Sequence, residues 1–235
     1  MKHQPFVLTC DECVLKVQSI FRGLTRDDLE ELSSKRGCSI YKKGDIVYRE
    51  GSYLNGSYVI NTGIIKIFKT GIEGREQIIR FGKRGDIIGF RSILSNEPAC
   101  TSAKVMEDAV LCYLSTETLL SLLKSNFNFS LEVLQQSCKE LREANTFITD
   151  IAQKTVRERL AEVLILLKNQ FDVDNDKVLQ INLTREEIAN IVGTATESVI
   201  RLLSEFKNEN LIDLHGRKIK ILDDTRLNRI ANMMD

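Results

Sequence analysis

The stretch from Thr184 to Leu203, TREEIANIVGTATESVIRLL, limits the fold of this chain more than any other. Thr184 with Glu187 three residues on is the signature of a capping box, so a helix should start there. Gly193 offers the permissive backbone of a tight turn. Ala189 is small enough for a second helix to cross the first, and Ile188, Val192, Val199 and Leu203 supply the apolar contacts between them. The pattern predicts a helix-turn-helix whose second helix begins near Ala195. Short strands expected at 211–214 and 219–222, hinged by Gly216, would add a β-hairpin wing.

Glu197 and Arg201 lie four residues apart and therefore share a face of the second helix. An arginine can reach guanine O6 and N7 with two hydrogen bonds, and a carboxylate can accept from the cytosine amino group. On an arbitrary helix the same pair would be an ordinary surface ion pair. On the second helix of this motif, base reading is the better reading. Arg185, Thr194, Thr196 and Ser198 join the candidate DNA-facing set, and Arg217 and Lys218 on the wing are candidate phosphate contacts. Lys207 and Lys220 have the same candidacy, with a solvated charged face as the alternative.

Upstream the texture is different. Residues 39–114 are broken by glycines and rich in β-branched residues, with strand-like runs at 45–49, 57–61, 64–69 and 77–81. Many short strands between turn signals predict a barrel or sandwich. Lys43-Gly44-Asp45 and Arg84-Gly85-Asp86 read as two similar corners of one β-roll. From residue 117 to about 153 the pattern becomes helical. Leu131, Leu134, Cys138, Leu141, Asn145, Ile148 and Ala152 alternate by three and four, an a/d heptad seam with Asn145 at an a position. A dimer interface is one reading; a helix packed on its own domain is the other. Residues 155–171 form a further helix, followed by the acidic turn 172–176 and a short strand at 178–181. The expected class is α+β.

Charge does not make this a nucleic-acid coat: 33 basic residues balance 33 acidic ones. A sequence-specific reader with contacts on one small face is still allowed. Chemistry-bearing clusters are scarce, since the two histidines are His3 and His215, and Glu186 and Glu187 point apart on a helix. No catalytic spacing is evident, so an enzyme is not expected. The rival reading is a β-roll and coiled-coil interaction module without sequence-specific DNA reading. Neither a signal peptide nor a membrane span is read, which makes the cytoplasm the default expectation. The six cysteines, Cys10, Cys13, Cys38, Cys100, Cys112 and Cys138, are unevenly scattered, unlike a secreted disulfide framework, and are expected as mostly free thiols. Cys112 and Cys138 could simply fill apolar space.

These features together resemble the Crp/Fnr family of bacterial regulators, over roughly residues 10–222. The matching elements are Gly85-Asp86-Ile87-Ile88-Gly89-Phe90, the helix carrying Arg157-Glu-Arg-Leu-Ala161, and the helix-turn-helix. The resemblance implies an N-terminal double-stranded β-helix (β-roll or jelly-roll) as sensor over 1–116, a long dimerisation helix over 117–153, and a winged helix-turn-helix over 154–235. It implies a homodimer that reads a palindromic promoter site and contacts RNA polymerase. Glu197 and Arg201 match the family's base-reading pair; Thr196 and Ile200 depart from its pattern and leave the half-site open. The signal-linked hinge would lie near residues 149–155.

An effector would be held near Phe90, Arg91, Thr101, Ser102, Ala144 and Asn145. The resemblance argues against cyclic AMP, because Gly89-Phe90-Arg91 and Thr101-Ser102 replace the carboxylate and guanidinium of the cyclic-AMP-binding members. Oxygen-sensing members hold an iron–sulfur cluster on four cysteines. Cys10, Cys13 and Cys112 match three of those positions, and the fourth falls at Ser19, an alcohol where a thiolate is needed. Cys38 is a displaced substitute, and a surface thiol pair at Cys10 and Cys13 is the alternative to a cluster.

Overall fold

A computed structural model describes residues 20–35 and 37–232, so Cys10, Cys13 and Ser19 lie outside the described residues. The chain divides into two compact units, one ending at Arg142 and the other beginning at Glu143. The class is α+β, with antiparallel sheet and helices in separate stretches of sequence.

Among the described residues, the first unit begins with a 3-10 turn, Ile20–Gly23, and helix α1 (Arg26–Lys35). Strands β1 (Gly37–Tyr41), β2 (Ile46–Tyr48), β3 (Gly56–Thr70), β4 (Glu76–Gly82) and β5 (Ile87–Ile88) follow. A short helix α2 (Phe90–Ser95) precedes β6 (Ser102–Ser115), and α3 (Thr116–Ser125) and α4 (Phe127–Gln153) close the series, α4 continuing past the unit's end at Arg142. Sheet order is β1-β6-β3-β4, with β2 also on β6 and β5 also on β3, all antiparallel. The runs at 57–61 and 64–69 belong to one strand, β3, whose register against β6 slips at three places between Ile60 and Ile65. Such bulges curl a sheet rather than ending it, which is how one long strand serves both halves of a roll.

The two Gly-Asp corners are built alike. Asp45 Oδ2 accepts from the Lys42 amide at 2.7 Å, and Asp86 Oδ2 accepts from the Lys83 amide at 2.9 Å. Gly44 (φ 97°) donates to the Val105 carbonyl and Gly85 (φ 88°) to the Ile60 carbonyl, each at 2.8 Å. A side chain at either glycine would be strained in this left-handed conformation. Burial pushes the Asp86 carboxyl up from its ordinary value.

Inside the roll, Tyr48, Ile60, Ile65, Ile67, Ile88, Val105 and Leu111 form one cluster. On the other face Leu29, Leu32, Phe90, Leu114, Leu119, Leu122, Phe129 and Val133 join α1, α3 and α4 to the sheet. Along α4, Phe129, Val133 and Glu140 turn inward. The heptad seam does not. Leu134, Leu141 and Ile148 are 59%, 62% and 66% exposed, and Leu131, Cys138, Asn145 and Ala152 are exposed with them. Cys138 is therefore a surface thiol, not a core filler.

Cys112 is neither a free thiol nor open as a cluster ligand. Cys112 is disulfide-bonded to Cys38, which stands directly opposite it in the β1–β6 register with Cα atoms 4.0 Å apart.

The second unit contains α5 (Val156–Phe171), α6 (Arg185–Val192), α7 (Thr196–Asn208), the hairpin β7 (Ile212–His215) and β8 (Lys218–Ile221), and α8 (Asp224–Ile230). The expected strand at 178–181 is reduced to single bridges, Val173 with Leu179 and Val178 with Lys220. Its side chains still serve the core, because Leu179 and Ile181 are buried. The break between α4 and α5 falls within the span expected for the hinge. There Thr155 and Glu158 close a capping box, and Lys154 bridges Asp150 (3.1 Å) and Glu162 (2.8 Å).

Candidate nucleic-acid interface

The reading helix is fixed from beneath by its apolar face: Val199, Leu202, Leu203 and Phe206 are all buried. Four-residue spacing then leaves Glu197, Ile200, Arg201 and Ser204 as an exposed stripe on the opposite side. Ser204 was not singled out from sequence; its spacing of three from Arg201 is the signal that could have found it.

The turn ahead of this helix is held by two devices. Thr184 and Glu187 complete the capping box at the start of α6, with the Glu187 amide donating to Thr184 Oγ1 at 3.1 Å. Gly193 ends α6 in the left-handed region at φ 73°, where a glycine C-cap costs no side-chain clash. Arg159 then reaches across from α5. Its Nε donates to the Val192 carbonyl at 3.0 Å and its Nη2 to the Gly193 carbonyl at 3.4 Å, satisfying acceptors that a helix end leaves open. Arg157 fastens α5 to α7, donating to both carboxylate oxygens of Glu209 (2.8 and 2.7 Å) and lying 4.7 Å over the Phe206 ring.

Arg201 is not paired with Glu197. Its Nη1 donates to Glu205 Oε1 at 2.6 Å, one turn further along, leaving the Glu197 carboxylate exposed. Thr194, Thr196 and Ser198 are half-buried around the start of α7, where Ala195 contributes no side-chain cap. Arg217 and Lys218 are exposed at the wing tip. Arg185 is half-buried instead, and its Nη2 donates to the Gly216 carbonyl at 2.8 Å, tying α6 to the wing. Burial alone pulls its guanidinium down from the usual arginine value. Lys207 is engaged with Asp213 at 2.9 Å and holds that carboxyl at about 2.

In the first unit a charged group lies between the roll and α4. Glu140, 8% exposed, is ion-paired with Arg80 (3.0 Å) and Arg91 (3.4 Å), and Gln136 donates a hydrogen bond to it at 3.2 Å. Arg91 also donates to Cys100 Sγ at 3.5 Å. Arg80 and Glu140 were missed from sequence because nothing local links a strand residue to a distant helix. Thr101 and Ser102 are buried, with Ser102 Oγ accepting from the Glu50 amide at 2.9 Å, whereas Phe90 is withdrawn into the apolar cluster. Ala144 and Asn145 are exposed on α4. Glutamine at position 140 would keep the shape and leave two guanidiniums without their counter-charge. Glu140→Gln should cost about 2 kcal/mol and lower Tm by about 5 °C in calorimetry. Arg91→Gln, at a more exposed site, should cost less than half of that.

The described residues do not suit cyclic AMP, and of the positions implied for an iron–sulfur cluster they include Cys112 alone. Phe90 gives a nucleotide ribose no carboxylate, and both nearby guanidiniums are ion-paired to Glu140. For an iron–sulfur cluster, the sulfur of Cys112 is bonded to Cys38, and the other implied positions, Cys10, Cys13 and Ser19, lie outside the described residues. No helix among the described residues is long and apolar enough to cross a membrane.

Comparison with known proteins meets this geometry in both units. A cyclic nucleotide-binding domain model matches residues 39–126, and a Crp-like helix-turn-helix domain model matches residues 158–230. The transcriptional activator protein anr of Pseudomonas aeruginosa is 28% identical, over 94% of this chain and 92% of its own length. The fumarate and nitrate reduction regulatory protein of Yersinia pestis is 27% identical, over 96% of this chain and 91% of its own. Among solved structures, FixK2 from Bradyrhizobium japonicum superposes with a TM-score of 0.76 at 21% identity, covering 85% of this chain and 99% of that one. With a nucleotide-binding-type β-roll followed by a Crp-like helix-turn-helix, and relatives matched along nearly their whole length, the chain belongs to the Crp/Fnr family of transcription regulators.

Proposed function

We propose that the chain works as a homodimer that reads a palindromic promoter site with Glu197 and Arg201, under control of a signal received by the β-roll. The observation that carries this reading is the exposed stripe Glu197–Ile200–Arg201–Ser204 on a helix whose opposite face is buried. Glu205 holds the Arg201 guanidinium in place until a guanine edge takes over its hydrogen bonds. Arg217 and Lys218 take phosphates and set register without selecting sequence, and the free amides at the start of α7, with Thr194, Thr196 and Ser198 around them, take another. Arg185 contributes by fixing the wing.

Dimerisation uses the uncovered seam Leu131, Leu134, Cys138, Leu141, Asn145, Ile148 and Ala152. The working division is a sensor over 1–116, a dimerisation helix over 117–153 and a DNA-binding domain over 154–235. A signal at the roll alters the packing of the paired helices and brings the two winged helices onto half-sites one helical turn apart. The bracket of Arg80 and Arg91 around Glu140 supports this route, because it links the sensor directly to the dimerisation helix. RNA polymerase is the downstream partner in this reading, and the protein acts in the cytoplasm.

The test is retention of palindromic duplexes selected from a random library. Arg201→Ala should weaken binding to the selected duplex by about 10- to 100-fold and leave binding to unrelated DNA unchanged. Unchanged sequence preference would reduce the protein to an interaction module. Full affinity in the absence of any signal would remove the switch.

A further inference from the structure

We infer that Cys38 and Cys112 are a reversible thiol–disulfide site, oxidised by a hydroperoxide, whose redox state sets how strongly the protein holds DNA. This rests on the DNA-reading function proposed above and names the chemistry of its signal.

Four observations carry it. First, the two sulfurs are bonded and the residues face each other across β1 and β6, with Cα atoms 4.0 Å apart. Directly opposite residues of an antiparallel pair put their side chains on the same face, side by side before any bond forms. Second, the pair is asymmetric in access. Cys112 is buried, while Cys38 is half-buried on β1, an edge strand that pairs with β6 alone. A small oxidant can meet Cys38 while Cys112 waits behind it. Third, a protein that meets promoter DNA works where thiols are kept reduced, and disulfides formed there are mostly transient and redox-sensing. The free cysteines among the described residues, Cys100 and Cys138, form no such pair.

The fourth observation is position. Three residues after Cys112, Ser115 caps α3, which leads to α4 and the heptad seam. On the other side, β1 follows α1, whose Leu29 and Leu32 share one apolar cluster with Leu119, Leu122, Phe129 and Val133. The bond thus ties the segment entering the sheet to the segment leaving it for the dimerisation helix.

The chemistry balances without a metal. The Cys38 thiolate attacks one peroxide oxygen; the O–O bond breaks, and the departing hydroxide takes a proton to become water. The resulting sulfenic acid is attacked by the Cys112 sulfur; the S–O bond breaks and a second water leaves. Two thiols and one hydrogen peroxide give one disulfide and two waters. A dithiol returns the pair to its reduced form by exchange.

The experiment uses the full chain, reduced under nitrogen and then given stoichiometric hydrogen peroxide. Peptide mapping without reductant should recover Cys38 joined to Cys112, with loss of about 2 Da that dithiothreitol reverses. The crosslink closes a loop with a sequence separation of 74 residues. The unfolding transition of the β-roll should therefore rise by about 10 °C on oxidation. Retention of the selected duplex should shift by at least about threefold between the two forms, and Cys38→Ser should abolish both shifts. If serine on the edge strand impairs folding, Cys38→Val keeps a β-forming side chain and serves instead. Unlinked Cys38 and Cys112 peptides would overturn the inference, as would full linkage with a smaller change in retention. If neither form retains DNA, the reader assignment fails, while the mapped bond and the thermal shift still judge the thiol pair.

Discussion

Replacing both Leu141 and Ile148 with lysine should turn the protein into a monomer and remove tight binding to a two-half-site duplex. Both side chains are more than three-fifths exposed in the single chain, so the substitutions open no cavity within it. In a parallel pair of α4 helices they meet their own copies at heptad positions, which puts four large aliphatic groups per dimer into the seam. Each contributes about 1.5–3 kcal/mol when fully buried, and part of that offsets the cost of association. Four facing ammonium groups add repulsion where the apolar gain is lost. The dimer dissociation constant should rise by at least about 1,000-fold, read by sedimentation velocity. A monomer engages one half-site only, so retention of the full palindrome should fall by about 100-fold and match that of a half-site duplex. Wild-type Tm with unchanged dimer mass would place the interface elsewhere. Asn145 gives an internal control: Asn145→Leu should keep or strengthen association while relaxing its register.

The parts of the fold legible in sequence are those built from neighbouring residues. Thr184 and Glu187 announce the start of α6 because a capping box spans three positions, and the structure closes it. The paired Gly-Asp corners were visible for the same reason: Asp45 and Asp86 each bond an amide three residues back. What sequence could not show depends on register between distant strands. Cys38 meets Cys112 because β1 lies antiparallel on β6 in one alignment, and a slip of one residue would send the side chains to opposite faces. The bracket around Glu140 has the same character, since Arg80 lies on β4 and Arg91 on α2. Arg201 is an intermediate case. Glu197 and Glu205 are both four residues away, so spacing alone cannot choose between them. The structure favours Glu205, which also accepts from Arg157 at 3.4 Å and so belongs to the network fastening α5 to α7.

Phe206→Ala should do to folding what Arg201→Ala does to reading. Phe206 is fully buried beneath the reading helix, with Arg157 over its ring. Its carbonyl accepts from the Leu211 amide at 2.9 Å, where the chain turns toward the wing. Truncating such a ring removes its transfer free energy and leaves a cavity, at a cost of about 3–5 kcal/mol. A domain is stable by only about 5–15 kcal/mol in total, so the winged unit would lose much of its margin. Arg157 would also lose the surface it lies on while its bonds to Glu209 persist. Calorimetry should show the transition of the second unit lowered by roughly 10 °C or more, with the β-roll transition unmoved. The two variants then separate by temperature. Below its lowered transition Phe206→Ala should still prefer the selected duplex, because Glu197 and Arg201 are intact, and binding should collapse as the unit melts. Arg201→Ala should show wild-type unfolding and a sequence preference lost at every temperature. If Phe206→Ala keeps the wild-type transition, the anchoring of the reading helix lies elsewhere in its buried face, in Val199, Leu202 and Leu203.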